Sequence, residues 1–591
     1  MRTTPSHLDS GKHRLPWWKG ALLLSGILAA LGSLPRSAQV EAATARTETE
    51  SHRDPDAVCA GCHREIYDKY AKTPMAKASG LAREGSLDGG FTHPPSGIAY
   101  AVHQRGEAVE LTYERVQSPS GAGVQKSQDA LSGKRELEYY IGSNHRGRTY
   151  LYREGRQWFE APINFYSKRA LWDMAPNYGD VTSMPAPLPV DANCLHCHAT
   201  AVATPLPEAR NAFASAPFAQ GGIGCAACHG DPAQHLATQG HGPIVNPRKL
   251  SASRRDSACL QCHLEGDATV YKTGTSLAAF KPGDDLSSHA VYFVKASRES
   301  GGGRASSQYE ALLRSACKQA SGDKLTCTTC HDPHASPTSA ERVAWFRGRC
   351  LTCHSTPAIA ERHHPEQRDC ATCHMPTRNT TDISHEQLTD HNIQGRPTSA
   401  TQESLHLLSL ATSEELVPVG GVPAGDRESG LAYAQLAGGG DRAMGEHAQR
   451  LLRRAEAAGV SDAPLHTELG YLDQRAGDGV SAAREYAAAL AIDPYETTAL
   501  VNLAVLDATS RQLPEAMRLL ERAVEADPSK TSAGMNLAFL ECSLGQTQKA
   551  SDLLTLLARL NPDDPMLRRF RATGTYAGQT CAWKKGLQSL P

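Results

Sequence analysis

The chain has 591 residues, among them 17 cysteines and 25 histidines, and its 61 Lys and Arg nearly balance 63 Asp and Glu. The net charge of −2 removes the electrostatic case for nucleic acid or an anionic membrane as partner. The length predicts two or more domains, and a hydrophobic content of 40% is ordinary for a chain that builds a core.

The N-terminus has the layout of a secretory signal. Basic residues precede an apolar run at 20–34, and a stretch of small residues ends at Ala42 and Ala43. The run is shorter than the about 20 residues that span a bilayer. We therefore predict a signal peptide at 1–42, cleaved near residue 42, and a periplasmic or otherwise exported protein that is not integral to the membrane. An uncleaved N-terminal anchor is the alternative.

Residues 50–397 are rich in Cys, His, Pro and Gly and have little helical periodicity. Segment 98–116 alternates apolar and polar residues, and 149–159 holds two such runs around Glu154-Gly155, which predicts a hairpin. The spacer 264–326 contains three consecutive glycines and predicts loop with short helices. For this domain we expect mostly helix and loop with a small β insert.

The pattern Cys-x-x-Cys-His occurs seven times, far above chance, and we number the copies motif 1 to motif 7 in chain order. Two thiols three positions apart on a helical turn reach the two vinyl groups of a porphyrin, and the following His lies beneath the iron. The pattern therefore predicts seven covalently attached haems c. The tethering residues are Cys59, Cys62, Cys194, Cys197, Cys225, Cys228, Cys259, Cys262, Cys327, Cys330, Cys350, Cys353, Cys370 and Cys373. The histidine that ends each motif is expected to bind the iron of the haem that the same motif tethers. These histidines are His63, His198, His229, His263, His331, His354 and His374.

A single copy of the pattern would also fit sites that hold no haem. Cys-x-x-Cys alone occurs in redox dithiols and zinc ribbons, and 194–198 has the form of a zinc knuckle. Neither of these sites needs a His after every second Cys, and disulfide scaffolds do not place one there. Haem is favoured because all seven copies carry the His.

Each iron needs a sixth ligand or has an open face. Apart from the seven histidines that end the motifs, two in the signal and two in the C-terminal part, fourteen histidines remain, which is enough to close every iron. His196, inside its own motif, is expected to face solvent.

Several segments resemble the cytochrome c-552/4 family of multihaem cytochromes, and in particular its members fused to tetratricopeptide repeats. The segments are CAGCHREIYDKYAKTPMAKA (59–78), YYIGSNHRGRTYL (139–151), CAACHGDPAQH (225–235), SACKQASGDKLTCTTCHDPH (315–334), HHPEQRDCATCHMP (363–376) and ISHEQLTDHNI (383–393). By this resemblance, the second ligands of neighbouring haems are His334, His235, His385 and His391, then His145 and His364, and finally His93. Relatives often have a His where this chain offers Met75, so the resemblance nominates Met75 as a ligand; the alternative is that Met75 packs in an apolar gap.

The C-terminal part has a fixed period. Pro494, Pro528 and Pro562 are 34 residues apart, as are Ala482, Ala516 and Ala550, which is the tetratricopeptide arrangement. It predicts an all-α repeat solenoid at 427–575, with clear repeats over 463–564, a degenerate one at 427–460 and a capping helix at 564–573. A linker at 398–426 is expected before it and a tail at 576–591 after it. The repeats are expected to dock a partner protein or mediate self-association, or else to cap the cytochrome structurally, and their deletion is expected to leave the haems unaffected.

Three cysteines lie outside the motifs. Cys317 is expected to be a buried thiol, and Cys542 and Cys581 are candidates for a disulfide in an oxidising compartment.

The sequence thus predicts an exported heptahaem c-type cytochrome that transfers electrons between redox partner proteins. The alternative is a periplasmic oxidoreductase of small nitrogen or sulfur compounds, of the nitrite reductase or hydroxylamine oxidoreductase type, which needs an open iron. No motif has the Cys-x-x-Cys-Lys form of a Lys-ligated catalytic haem, which favours electron transfer. No catalytic residue is nominated.

Overall fold

The protein is described here by a computed structural model. It describes residues 54–580 except 85, 117–130, 177, 297–303, 307, 356–368, 381, 384, 395–414, 439 and 577–578. The predicted signal peptide, most of the predicted linker and tail, His364 and Cys581 lie outside the described residues. Within the described part, no helix combines the length and the apolar character that a bilayer span requires.

An antiparallel sheet of nine strands lies between motifs 1 and 2. Its strands are β1 Ser79–Leu81, β2 Gly89–His93, β3 Ile98–Arg105, β4 Ala108–Arg115, β5 Ser132–Ile141, β6 Gly147–Glu154, β7 Gln157–Tyr166, β8 Leu171–Met174 and β9 Leu188–Pro189. The order runs β2 to β8 as a meander, with β1 on β5 and β9 on β7. Gly106 (φ 65°) and Gly155 (φ 62°) form the tight turns that join β3 to β4 and β6 to β7.

The predicted strand segments 98–116 and 149–159 are confirmed, and the turn at Glu154-Gly155 joins β6 to β7. The expectation of a mostly helical domain with a small β insert is wrong, because the sheet extends far beyond these segments. Charged residues obscure the alternation in β5, and β7 is buried along almost its whole length. Neither strand therefore has the period-two pattern that identifies half-buried strands.

The motif region is built from short elements. Its helices are α1 Ala57–Tyr70, α2 Ala192–His196, α3 Ala226–His229, α4 Ala233–Ala237, α5 Ala252–His263, α6 Gln308–Arg314, α7 Ala316–Ser321, α8 Cys327–Cys330, α9 Arg342–Leu351 and α10 Cys370–His374. Its strands are β10 Ala199–Val202, β11 Phe218–Gly221, β12 Ala268–Tyr271, β13 Ala290–Lys295, β14 Thr377–Asn379, β15 Gln387–Thr389 and β16 Leu416–Pro418. The spacer 264–326 contains the paired strands β12 and β13, which corrects its prediction as loop. β16, inside the predicted linker, pairs with β13.

The C-terminal region is all-α, as predicted. Four antiparallel helix pairs and a final helix follow one another: α11 Asp426–Ala437, α12 Arg442–Ala457, α13 Ala463–Arg475, α14 Gly479–Ile492, α15 Thr497–Thr509, α16 Leu513–Ala526, α17 Thr531–Ser543, α18 Thr547–Leu560 and α19 Pro565–Thr573. A two-stranded ribbon, β17 Thr575–Tyr576 and β18 Gln579–Thr580, ends the described chain. Ala482, Ala516 and Ala550 are fully buried, as expected of small residues where paired helices approach.

The last repeat packs into the core of the nine-stranded sheet. Leu560 belongs to the hydrophobic cluster that contains Tyr100, Leu111 and Phe159. Beside it, Arg115 donates a hydrogen bond to Asp563 over 2.5 Å, and both side chains are buried. The backbone N–H of Met184 donates to the same carboxylate oxygen at 2.7 Å.

The first repeat packs on the sheet of β12, β13 and β16. Leu431 and Leu452 share a hydrophobic cluster with Val270 and Phe293. Arg427 donates to the carbonyl of Tyr271 at 2.8 Å. The repeats are therefore joined to the motif-bearing region at both ends, and Asp54–Pro591 forms one compact unit. Deleting the repeats would therefore expose apolar surface on both sheets. That the haems stay unaffected by such a deletion remains a prediction.

Candidate functional site

All seven motifs lie on a helical turn. Motif 1 is in α1, motif 2 begins in α2, motif 3 coincides with α3, motif 4 ends α5, motif 5 coincides with α8, motif 6 begins at the end of α9, and motif 7 forms α10. In motifs 3, 5 and 6 the histidine N–H donates to the carbonyl of the first cysteine at 2.9 to 3.0 Å. This turn brings both thiols and the imidazole close together, as haem attachment requires.

The fourteen motif cysteines form no disulfides. Of the remaining three, Cys317 is a half-buried free thiol, and Cys542 is disulfide-bonded. Cys581, the partner that the sequence suggests for Cys542, lies outside the described residues.

Thiols of different motifs are in contact. Side-chain hydrogen bonds join the thiols of motifs 1 and 3, 2 and 4, 4 and 5, and 6 and 7. Thiols of motifs 3 and 4, and of motifs 5 and 6, are close enough to interact electrostatically. By hydrogen bond or by proximity, the thiols of all seven motifs therefore form one connected series of near neighbours.

Two motif histidines face a second histidine that the sequence nominated. The rings of His229 and His334 have centroids 6.0 Å apart and planes 12° from parallel. The rings of His331 and His391 are 6.2 Å apart, with planes at 24°. A metal–imidazole bond is about 2 Å and each nitrogen lies about 1 Å from its ring centre, so two imidazoles on one metal have centroids about 6 Å apart. Both pairs fit that separation.

Backbone carbonyls orient four of the candidate imidazoles. The carbonyl partners are Val245 for His229 (2.8 Å), Gln394 for His374 (2.5 Å), Thr389 for His391 (2.9 Å) and Gly242 for His235 (3.2 Å). A carbonyl only accepts, so in each ring Nδ1 carries the proton, and Nε2 is the nitrogen with a lone pair that could bind a metal. Ligating histidines usually have this arrangement.

The sequence did not identify the role of Asp56 and Asp256. Asp56 accepts the backbone N–H of Cys225, at the start of motif 3, with both oxygens at 3.1 and 3.0 Å. Asp256 accepts the N–H of Cys327, at the start of motif 5, at 3.1 Å. The signal that was available is their spacing, because each lies three residues before the first cysteine of a motif.

Burial controls protonation in motif 2. It lowers the pKa of His198 to about 4. The imidazole is then neutral at pH 7, which is the form that binds a metal. Burial, with the charge of Asp191, raises the pKa of Cys194 to about 12. The Nδ1 of His198 is buried and has no hydrogen-bond partner.

Two nominated histidines have other partners. Buried His93 is hydrogen-bonded through Nδ1 to Ser96 at 2.9 Å and through Nε2 to the carbonyl of Gly179 at 3.0 Å, which favours a structural role. His385 is paired through Nε2 with Asp173 at 2.7 Å. Neither ring faces a motif histidine as those of His334 and His391 do.

His385 lines a polar cavity of about 420 Å³. The other lining residues are Lys168, Arg169, Asn379, Thr380, Glu386 and Gln387. Exposed His145 interacts electrostatically with Lys168 and Glu386 and so lies close to this cavity.

Met75, the nominated methionine, is half-buried. Its backbone carbonyl accepts the N–H of Ile223, two residues before motif 3, at 2.9 Å.

Two family models match parts of the chain. The cytochrome c554 and c-prime family matches residues 175–230, which contain motifs 2 and 3. The tetratricopeptide repeat family matches residues 508–573. The first match implies haem c. The second indicates a protein-interaction module.

No curated protein matches the chain significantly. Among solved structures, a crystal structure of MamA is 17% identical, with 20% of this chain and 71% of that chain covered and a TM-score of 0.19. YrrB, described as a TPR protein with an unusual peptide-binding site, is 18% identical over 29% of this chain and 80% of its own (TM-score 0.21). Pseudomonas aeruginosa pilF is 26% identical over 24% and 65% (TM-score 0.22). At these TM-scores the likenesses carry no functional argument.

The residues present fit haem c. Motifs 2 and 3 lie inside the segment that matches the cytochrome family. Each has two free cysteines on a helical turn, followed by a His. His229 has both an orienting carbonyl and a second imidazole at ligand-pair distance.

Proposed function

We propose that the protein is an exported heptahaem c-type cytochrome that transfers electrons along its haems, with a repeat domain for docking other proteins. The observation that carries this proposal is that the thiols of all seven motifs form one connected series of near neighbours. Haems tethered at neighbouring motifs would therefore lie close together. Electron transfer from one haem to the next requires such short distances.

The chain has three tasks in this function. The motif cysteines would hold the haems by thioether bonds, and the motif histidines would bind iron. His334 and His391 would supply second ligands to the haems of motifs 3 and 5, since their rings lie opposite those of His229 and His331. The carbonyls of Val245 and Thr389 fix two of these imidazoles in orientation. Haem c, when bound, supplies one-electron chemistry between ferric and ferrous iron.

The haem count is tested by intact mass and by the pyridine haemochrome absorbance per polypeptide. Protein made in a host with a cytochrome c maturation system is expected to carry seven haems and to lack residues 1–42. A variant with Cys225 and Cys228 both replaced by Ala is expected to carry six. A count below seven in the wild type, or retention of Met1 in the mature protein, contradicts the proposal.

The cavity beside His385 supports the enzyme alternative. A His–Asp pair beside Lys168 and Arg169 resembles the polar surroundings of a substrate site, and His385 is then not an iron ligand. Addition of CO, nitrite and hydroxylamine to the dithionite-reduced protein separates the two functions. Electron transfer alone predicts no CO-induced Soret shift and no turnover, whereas an enzyme predicts both.

A further inference from the structure

Three motifs share a longer pattern, Asp-x-x-Cys-x-x-Cys-His, which begins at Asp56, Asp191 and Asp256. Asp191 acts locally. It precedes α2 and accepts the N–H groups of Asn193 and Cys194, both at 2.9 Å, so it caps the turn of its own motif. The other two aspartates occupy the same sequence position but act on a different motif.

Asp56 precedes α1 as its N-cap residue, yet its side chain makes no capping hydrogen bond to that helix. Instead, both carboxylate oxygens accept the N–H of Cys225. The ligand atoms of Asp56, Cys59 and Cys225 all lie within 4.8 Å of one another. A Cβ on Gly224 would lie 2.3 Å from an oxygen of Asp56, so this approach requires glycine directly before motif 3.

Asp256 makes the corresponding contact between motifs 4 and 5. It lies inside α5, where aspartate is an unfavourable helix residue, and it is only 4% exposed. Its carboxylate accepts the N–H of Cys327 at 3.1 Å, and the thiols of Cys259 and Cys327 are hydrogen-bonded. Motifs 4 and 5 are thus held together as motifs 1 and 3 are.

We propose that Asp56 and Asp256 are positioning residues that fix pairs of haems, motif 1 with motif 3 and motif 4 with motif 5, and lower their reduction potentials. The inference rests on the proposed function. Each carboxylate ties the backbone of one motif to the start of another, so it sets the mutual geometry of the two attached haems. Its negative charge favours ferric over ferrous iron, more strongly at buried Asp256 than at half-buried Asp56.

The test uses the full-length haem-loaded protein and the variants Asp56→Ala, Asp256→Ala and Asp191→Ala. Circular dichroism in the Soret band measures the coupling of haems held in fixed mutual orientation. The first two variants are expected to lose part of the Soret couplet, each from one pair, whereas Asp191→Ala is expected to keep it. Equal couplets in all four proteins would overturn the proposal, and so would an equal loss in all three variants.

The variants Asp56→Asn and Asp256→Asn separate charge from shape, because the amide keeps an acceptor oxygen. They are expected to retain the haem count and most of the couplet, and to raise the midpoint potentials of two haems each in a spectroelectrochemical titration. Unchanged midpoint potentials in the Asn variants would contradict the proposal that the carboxylate charge lowers the reduction potentials. A wild-type haem count below seven contradicts the proposed function, whereas a full count with unchanged couplets in the Ala variants contradicts only the positioning role.

Discussion

Single side chains decide how distant parts of this chain are joined. Arg115 and Asp563 are 448 positions apart, and both are buried. His229 and His334, and His331 and His391, are likewise brought together from separate segments. A buried charge that loses its partner stays desolvated and uncompensated, so such residues have large effects when changed.

Asp563→Ala is expected to lower the free energy of unfolding by about 3–5 kcal/mol, because Arg115 is left as an unpaired buried cation. Urea unfolding followed by tryptophan fluorescence measures it. Glu515→Ala is the control, since Glu515 pairs with Arg518 in an exposed i, i+3 contact and such pairs contribute at most about 1 kcal/mol. Equal losses in the two variants would contradict a special role for the buried pair.

His334→Ala is expected to open one iron, because His334 is the second imidazole facing His229. The dithionite-reduced variant should then bind CO at about one haem per chain, seen as a Soret shift that the wild type lacks. His103→Ala, on β3 where His103 lies beside Asp88, is the control and should bind no CO. Absence of CO binding in His334→Ala would remove His334 from the ligand set.

Elements in the repeat region depend on close helix contacts. Gly470 on α13 faces the ring of Tyr486 on α14, and a Cβ there would approach that ring to 2.7 Å. Gly445 on α12 offers a matched position, where a Cβ would meet Leu472 at an ordinary 3.5 Å. Alanine substitutions at the two glycines therefore distinguish the effect of crowding at a helix contact from the effect of helix propensity on stability.

Gly470→Ala is expected to destabilise the protein by about 1–3 kcal/mol, because Tyr486 must shift within a close-packed interface. Gly445→Ala is expected to stabilise it by up to about 1 kcal/mol through higher helix propensity. Thermal unfolding by circular dichroism at 222 nm compares the two variants. A gain in both would show that the α13–α14 contact has room for a methyl group.

On the scale of the whole unit Asp54–Pro591, the repeats are joined to the motif-bearing region at both ends. A third contact lies between them, where Arg210 donates to Asp493 at 2.6 Å. β16, inside the segment predicted as linker, completes a sheet with β12 and β13. Chain connectivity is therefore not the main link between the two regions.

A protease site inserted between residues 400 and 410 tests this link. After cleavage, the two fragments are expected to co-elute in size-exclusion chromatography at moderate salt and to keep the haem spectrum, because buried apolar contacts and the Arg115–Asp563 pair hold them together. The uncleaved protein with the same insertion is the control. Separation of the fragments in buffer would restore the picture of an independent repeat domain.

Local patterns were sufficient wherever function or structure depends on neighbours in sequence. The seven Cys-x-x-Cys-His copies, the 34-residue period and the hairpin at Glu154-Gly155 were all readable, because one helical turn, one repeat and one tight turn are each set by a few adjacent residues. The extent of the sheet could not be predicted from the sequence. The charged residues of β5 and the nearly continuous burial of β7 remove the alternation of apolar and polar residues that identifies a strand.

The sequence by itself determined where the seven Cys-x-x-Cys-His motifs lie and that a repeat solenoid follows them. Only the tertiary structure decided which histidine faces which motif, which aspartate acts on a neighbouring motif, and that the repeats share their core with the sheet. The physical reason is that these choices are contacts across tens to hundreds of residues. Asp56, Asp191 and Asp256 have the same local spacing, and only the fold around each one determines which N–H its carboxylate meets.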